Sequence, residues 1–220
     1  MGKIKAVLFD FDGTLMDTNG IIINSWQYAF KVAEGRVLTL DEIRRNFGEP
    51  LRDSMVHLFP GRDPDEMVDL YRHYQRHIFM DKLHMFPGMR ELVLGLKERG
   101  IKVAVVTSRF WNTIRKGVYL FDIADEFDAV VSGEDNTKPK PDPEPCLVCL
   151  ERLGASPEEA LVIGDTKFDI LCGKNAGIRT VLVNWTLAVS DEEKQGVYRP
   201  DYFIDRAEDV YSIIDSIERE

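Results

Sequence analysis

The sequence predicts an α/β fold in which a doubly wound parallel sheet carries an inserted helical domain. From about residue 86 onward, short apolar runs alternate with amphipathic segments, the pattern of βα units that pair into a parallel sheet. Between residues 20 and 83 the pattern is helical throughout, interrupted only at glycines and prolines. A chain of 220 residues is long enough for one α/β domain and a small inserted one.

Apolar periodicity places the individual elements in chain order. The first strand, residues 6–9, is a continuous apolar run of the kind buried on both faces of a parallel sheet. The helical stretch predicts helices at residues 21–33, 40–46, 51–58 and 65–79. Later strands are predicted at residues 102–106, 129–131, 161–163, 180–183 and 202–204. Helices that precede, separate or follow them are predicted at residues 89–99, 112–119, 144–153, 168–176 and 207–217.

Composition excludes several classes of function. The formal net charge of −10 argues against a nucleic-acid partner, for which a basic surface is expected. No apolar stretch approaches the ~20 residues of a membrane span. The amino-terminal residues lack the pattern of a signal peptide. We therefore expect a cytoplasmic protein with neither a membrane nor a nucleic-acid partner.

Two acids and a glycine, Asp10, Asp12 and Gly13, directly follow the first strand. Because side chains alternate along a strand, Asp10 and Asp12 point the same way at the carboxyl edge of the sheet, where ligands bind. Converging carboxylates repel each other, and a hard divalent cation, Mg²⁺ above all, would offset the repulsion. A solvated acidic turn is the alternative. A calcium loop fails on register, since Thr14 and Leu15 stand where such a loop needs an acid or amide and then a glycine.

Three further polar clusters occur downstream. Thr107 ends an apolar run, a segment rich in lysine and proline covers residues 138–143, and Asp165 follows the run 161–163. In this order, the four clusters resemble the motifs of the haloacid dehalogenase superfamily of phosphohydrolases, and the resemblance extends over residues 3 to about 217. It implies a Rossmann-like core with a helical cap of the small C1 type inserted after the first motif.

The resemblance also implies the domain boundaries. The core would comprise residues 1–17 and 85–220, and the cap would comprise residues 18–84. The hinges would lie near residues 17–20 and 84–88, so that the cap closes over the carboxyl edge of the sheet.

For the acids, the resemblance implies a nucleophile, a proton carrier and a metal site. Asp10 is expected to attack phosphorus and form an aspartyl-phosphate, with one of its oxygens on Mg²⁺. Asp12 is expected to act as general acid and then as general base, with its backbone carbonyl on the metal. Asp165 is expected to complete the Mg²⁺ site.

Three residues are expected to face the substrate in the core. Thr107 should hydrogen-bond the transferring phosphoryl group, and the backbone amide of Ser108 should help it. Gly13 lets the chain leave the strand tightly beside the same group. For Thr107 the alternative is a hydroxyl that merely caps a strand end.

One lysine is expected to pair with Asp10 and with the phosphoryl oxygens. Lys138 and Lys140 compete for that role, and Lys138 is preferred because the family's lysine is followed by Pro-x-Pro-Asp, as here. Asp169 lies four residues after the last motif's first acid. It is expected to orient the lysine or a metal-bound water.

The second acid, Asp12, narrows the reaction class. Dehalogenases of the superfamily lack this residue, whereas phosphatases and phosphomutases keep it. The segment 47–52 resembles the phosphoglycolate phosphatase and bacterial pyrophosphatase branches, and the segments 17–19, 141–145 and 184–187 lean to the second. The expected substrate is therefore a small phosphorylated compound, either pyrophosphate or phosphoglycolate.

Three questions stay open at this point. Arg52 is the cap candidate for the distal end of the substrate, and a surface or salt-bridged arginine is the alternative. A phosphomutase of the β-phosphoglucose type, or a non-catalytic binding protein, would use the same fold. The chain is expected to be a monomer or a dimer.

Overall fold

A parallel sheet of six strands forms the centre of the molecule. The structure is a computed structural model that describes residues 3–219; residues 1, 2 and 220 of the predicted core domain lie outside the described residues. The strands are β1 (Ala6–Phe9), β4 (Lys102–Val106), β5 (Ala129–Val131), β6 (Ala160–Gly164), β7 (Arg179–Val183) and β8 (Tyr202–Ile204). They lie in the order β5-β4-β1-β6-β7-β8, and each neighbouring pair is parallel.

The strands are continuous apolar runs because helices cover both faces of the sheet. These helices are α5 (Met89–Glu98), α6 (Trp111–Leu120), α7 (Glu144–Leu153), α8 (Lys167–Asn175) and α9 (Asp209–Ile217). Val7 and Phe9 of β1 belong to the apolar cluster that includes α5, α6 and α9. Ala6 and Leu8 face the opposite cluster, with residues of α7 and α8. The predicted fold class is confirmed.

Four helices are inserted between β1 and β4. They are α1 (Asn19–Glu34), α2 (Leu40–Arg44), α3 (Leu51–Leu58) and α4 (Pro64–Lys82). We call them together the helical insertion. It has an apolar core of its own, with Trp26, Phe30, Met55 and Phe59 among the buried residues.

A short antiparallel ribbon joins the helical insertion to the sheet. Its strands are β2 (Met16–Asp17) and β3 (His84–Met85), which pair directly before and after the insertion. The sequence predicted only hinges here, because two-residue strands are too short to show an alternating pattern.

No helix among residues 3–219 is both long enough and apolar enough to cross a lipid bilayer.

Candidate active site

The carboxyl ends of three neighbouring strands bring the predicted site residues together. Asp10 follows β1, Thr107 follows β4 and Asp165 follows β6, and β1 lies between the other two strands. The amide of Asp10 donates to the carbonyl of Ile163 at 2.9 Å, so the pairing of β1 with β6 continues to Asp10. All three side chains belong to buried residues.

Gly13 allows the turn after β1 to pack directly on Asp165. Its φ is +72°, and a Cβ at this position would lie 2.2 Å from Oδ2 of Asp165. The Gly13 carbonyl accepts a hydrogen bond from the indole of Trp185 at 3.1 Å. Any side chain at position 13 would therefore displace the Asp165 carboxylate as well as strain the backbone.

The lysine beside Asp10 is Lys140, and the prediction of Lys138 for that contact was wrong. Nζ of Lys140 lies 2.8 Å from Oδ1 of Asp10 and 2.7 Å from the carbonyl of Val106. Its side chain is 5% exposed, whereas that of Lys138 is 69% exposed and lies 3.7 Å from Asp142.

The chain around the lysines explains the difference. The Glu144 carboxylate accepts hydrogen bonds from the amides of Thr137 and Lys138, and Asn175 donates to the carbonyl of Pro141. These contacts hold the loop so that Lys138 faces solvent.

Asp169 contacts Lys140. This agrees with one of the two roles expected from the sequence, to orient the lysine or a metal-bound water. Oδ1 of Asp169 accepts from Nζ of Lys140 at 2.5 Å. Its Oδ2 accepts from the amide and hydroxyl of Thr166, in a capping box that begins α8. Because Lys140 also donates to Asp10 and Val106, all three of its N–H donors are used.

The buried acids and the single lysine leave an uncompensated negative charge. Asp10, Asp165 and Asp169 can each place one oxygen within 4.8 Å of the others. When all three acids are ionised, three carboxylates and one ammonium sum to −2, the charge that a divalent cation would balance. Oδ1 of Asp165 is buried and has no hydrogen-bond partner among the described residues. An orphaned oxygen in an oxygen-only cluster fits a hard cation such as Mg²⁺.

Burial and the neighbouring charges together shift the pKa values of the cluster. Burial raises the pKa of Asp10 to about 7, against the opposing charge of Lys140 and with further help from Asp169 and Asp12. Burial and the neighbouring carboxylates raise the pKa of Asp165 well above its usual range. Burial alone would lower the pKa of Lys140, but Asp10 and Asp169 hold it well above the ordinary value.

Asp12 has a partner that the sequence analysis missed. Nε of Arg109 donates to Oδ2 of Asp12 at 2.5 Å, and the Arg109 side chain is only 12% exposed. Oδ1 of Asp12 is buried without a partner among the described residues. The sequence held one signal for this residue, its position. Arg109 stands three residues after the end of β4, at the edge of the sheet where ligands bind.

Thr107 and Ser108 form the turn that follows β4. The hydroxyl of Thr107 is buried and accepts from the amide of Arg109 at 3.1 Å, so it caps this turn. Ser108 is exposed, and its amide donates to no acceptor within residues 3–219. Because Phe9 of β1 pairs with Val105 of β4, this turn begins next to the end of β1, where Asp10 lies.

The helical insertion reaches the site through Gly48 and not through Arg52. A Cβ on Gly48 would lie 2.8 Å from atoms of Thr166 and Phe168, so the loop before α3 packs closely on the start of α8. Arg52 instead donates to Asp65 at 2.9 Å on the surface of the insertion, with 59% of its side chain exposed. The structure does not place Arg52 beside the buried acids.

The chain belongs to the haloacid dehalogenase-like hydrolase family. The family's sequence model matches residues 7–183, which contain the strands and loops that build this site. The predicted resemblance is confirmed, and the chain is an enzyme of this hydrolase family.

Individual relatives match over almost the whole chain. Pyrophosphatase PpaX of Halalkalibacterium halodurans is 39% identical over 214 residues, which cover 96% of this chain and 97% of the relative. Pyrophosphatase PpaX of Bacillus cereus is 33% identical over 217 residues, which cover 99% of each chain. A haloacid dehalogenase-like family hydrolase from Streptococcus pneumoniae superposes with a TM-score of 0.85 at 26% identity, covering 97% of this chain and 99% of that one.

Proposed function

We propose that this enzyme hydrolyses inorganic pyrophosphate with the help of Mg²⁺, through a phosphoryl group carried transiently on Asp10. The observation that carries the proposal is the buried cluster in which Asp10 contacts Lys140 while Asp165 keeps an unpartnered oxygen. The names of relatives that match along the whole chain support pyrophosphate as the substrate.

The first chemical step forms a covalent intermediate. An oxygen of Asp10 attacks one phosphorus of pyrophosphate, and the bond from that phosphorus to the bridging oxygen breaks. Asp12 donates a proton to the bridging oxygen, so the first product leaves as orthophosphate. Lys140 holds the Asp10 carboxylate in place and offsets charge on the transferring group.

The second step returns Asp10 to its starting state. Asp12 accepts a proton from a water molecule, and this water attacks the phosphorus held on Asp10. The bond between Asp10 and phosphorus then breaks, which releases the second orthophosphate. Thr107 and the free amide of Ser108 supply hydrogen bonds to the phosphoryl oxygens in both steps.

The acids of the cluster would hold the metal. The carboxylates of Asp10 and Asp165 and the backbone carbonyl of Asp12 are the proposed ligands, since Asp169 is engaged by Lys140 and Thr166. When bound, Mg²⁺ supplies positive charge that offsets the charge of the phosphoryl group.

The helical insertion acts as a cap over this site in our proposal, with boundaries near residues 18 and 84. Its support is the contact of Gly48 with Thr166 and Phe168, directly after Asp165 in the chain. In this proposal, a cap loop packed this closely admits only a compact leaving group. That favours pyrophosphate over nucleotides and phosphoproteins.

A substrate panel tests the proposal. Phosphate release with Mg²⁺ is measured for pyrophosphate, phosphoglycolate and a hexose phosphate, with the parent enzyme and with Asp10→Asn. We expect the highest kcat/KM with pyrophosphate and no turnover by Asp10→Asn.

Two results would contradict the proposal in different ways. A higher kcat/KM for phosphoglycolate or the hexose phosphate would reassign the substrate, and a requirement for a bisphosphate activator would indicate a phosphomutase. Turnover by Asp10→Asn near the parent rate would overturn the mechanism itself.

A further inference from the structure

Arg109 lies where the cap helices meet the sheet edge. Its guanidinium carbon lies 5.0 Å from the ring centre of Phe79 in α4 and 5.9 Å from that of Phe11. The Nε atom donates to Oδ2 of Asp12. Aromatic rings therefore hold the guanidinium in position while one of its donors faces the proton carrier.

Most of the hydrogen-bonding capacity of Arg109 is unused. An arginine side chain has five N–H donors. Within residues 3–219, the Nε–H of Arg109 is the one that donates to a side-chain acceptor, Asp12. Within residues 3–219 neither terminal nitrogen is a fully buried atom without a partner, so each keeps some contact with solvent although the whole side chain is only 12% exposed. Arg109 thus presents two free amino groups beside Asp12.

Lys140 has no such spare capacity. Its three donors are taken by Asp10, Asp169 and the carbonyl of Val106. Lys140 can offset negative charge near Asp10, but it has no further N–H donor for a second anionic group. Arg52, the predicted cap cation, is turned to the surface and paired with Asp65.

The position of Asp12 fixes what Arg109 can reach. In the proposed reaction, Asp12 contacts the oxygen that leaves, and in pyrophosphate this oxygen is bonded directly to the second phosphorus. A side chain that already touches Asp12 is therefore within reach of the second phosphate. A guanidinium is planar and forks its donors, which matches two oxygens of a phosphate.

We propose that Arg109 is the subsite for the leaving phosphate and selects substrates whose leaving group is itself a phosphate. This inference rests on the proposed pyrophosphatase function. On substrate binding, Arg109 exchanges its contact with Asp12 for two oxygens of the second phosphate. It then offsets the charge that develops on this group as the bridging bond breaks. An alkyl or aryl phosphate has no such group and gains nothing from Arg109.

The test compares Arg109→Met and Arg109→Lys with Arg72→Met as a matched control. Arg72 belongs to the same junction and stacks on Phe110 at 4.9 Å, and it has no place in the proposed mechanism. Steady-state kinetics are measured with pyrophosphate and with p-nitrophenyl phosphate. Calorimetry measures the affinity for methylenediphosphonate, an analogue that cannot be hydrolysed at the bridge.

We expect Arg109→Met to lower kcat/KM for pyrophosphate and the affinity for methylenediphosphonate by about 10- to 100-fold, the loss of charge-assisted hydrogen bonds. The loss should be clearly smaller for p-nitrophenyl phosphate, which lacks the second phosphate. Arg109→Lys keeps the positive charge but loses the forked pair of donors. Its kcat/KM for pyrophosphate should therefore lie between the values of the parent and of Arg109→Met. Arg109→Lys gives the same comparison if the methionine variant does not fold. Arg72→Met should match the parent.

Equal losses on both substrates, with unchanged affinity for the analogue, would overturn the subsite and leave Arg109 as a positioning residue for Asp12. Failure of the proposed function is distinguishable, because the parent enzyme itself would then fail to hydrolyse pyrophosphate.

Discussion

The sheet edge and the helical insertion use charged residues in opposite ways. At the sheet edge, Lys140 and Arg109 have side chains only 5% and 12% exposed, and each contacts a carboxylate of the site. On the insertion, Arg52 and Arg36 are 59% and 48% exposed, and they pair with acids of the insertion itself. Exposed ion pairs contribute little, whereas removing one partner of a buried pair leaves a costly charge behind. We therefore expect the reaction to depend on the charged residues of the sheet edge, and the insertion to shape the space around them.

The two lysines of the loop after β5 give the largest expected contrast. Lys140→Gln removes the ammonium that Asp10 and Asp169 share and should lower kcat for pyrophosphate by roughly 100-fold or more. Lys138→Gln, two residues away on the surface, should change kcat by less than about twofold. Initial rates of phosphate release measure both. Thermal unfolding of each variant checks that a loss of rate is not a loss of folded protein. Similar kcat values for the two variants would show that Lys140 takes no part in the reaction.

Metal binding should depend on pH through the buried acids. Mg²⁺ needs the ionised carboxylate, and burial raises the pKa of Asp10 to about 7, so protons compete with the metal below that pH. The affinity for Mg²⁺ should therefore fall as pH drops from 8 to 6, by up to about tenfold per unit for one competing proton. Calorimetric titration of the parent at both pH values measures this. Equal affinities at pH 6 and pH 8 would show that the cluster of Asp10 and Asp165 is not where the cation binds.

The smallest effect is expected on the insertion. Arg52→Ala removes an exposed pair with Asp65 and should change KM for pyrophosphate by less than about twofold. Asp65→Ala removes the same pair from the other side and should behave alike. KM measurements with pyrophosphate decide the matter. A tenfold rise in KM for Arg52→Ala alone would mean that Arg52 leaves Asp65 to contact the substrate, so that the insertion also supplies charge to the reaction.

The sequence predicted the parts of the site that directly follow strands. Asp10, Thr107 and Asp165 each end an apolar run, and parallel pairing brings such positions to one edge. The same local pattern predicted the six strands and the helices. The ribbon of β2 and β3 was not predicted, because each of its strands is two residues long.

The rest of the site depends on contacts between distant parts of the chain. The choice between Lys138 and Lys140 is made by Glu144 and Asn175, which hold an irregular loop that has no periodicity to read. The pair of Arg109 with Asp12 joins residues 97 positions apart. The position of Arg109 at the sheet edge was the one signal in the sequence, and it does not identify Asp12 as the partner.

Trapping the covalent intermediate tests the central claim most directly. The enzyme is mixed with pyrophosphate and Mg²⁺, quenched within one turnover and treated with borohydride, which reduces an acyl phosphate to an alcohol. Peptide mass spectrometry then locates the reduced side chain. We predict that position 10 alone is converted from aspartate to homoserine, and only when pyrophosphate is present. Orthophosphate production with position 10 unmodified under the same quench would contradict the account.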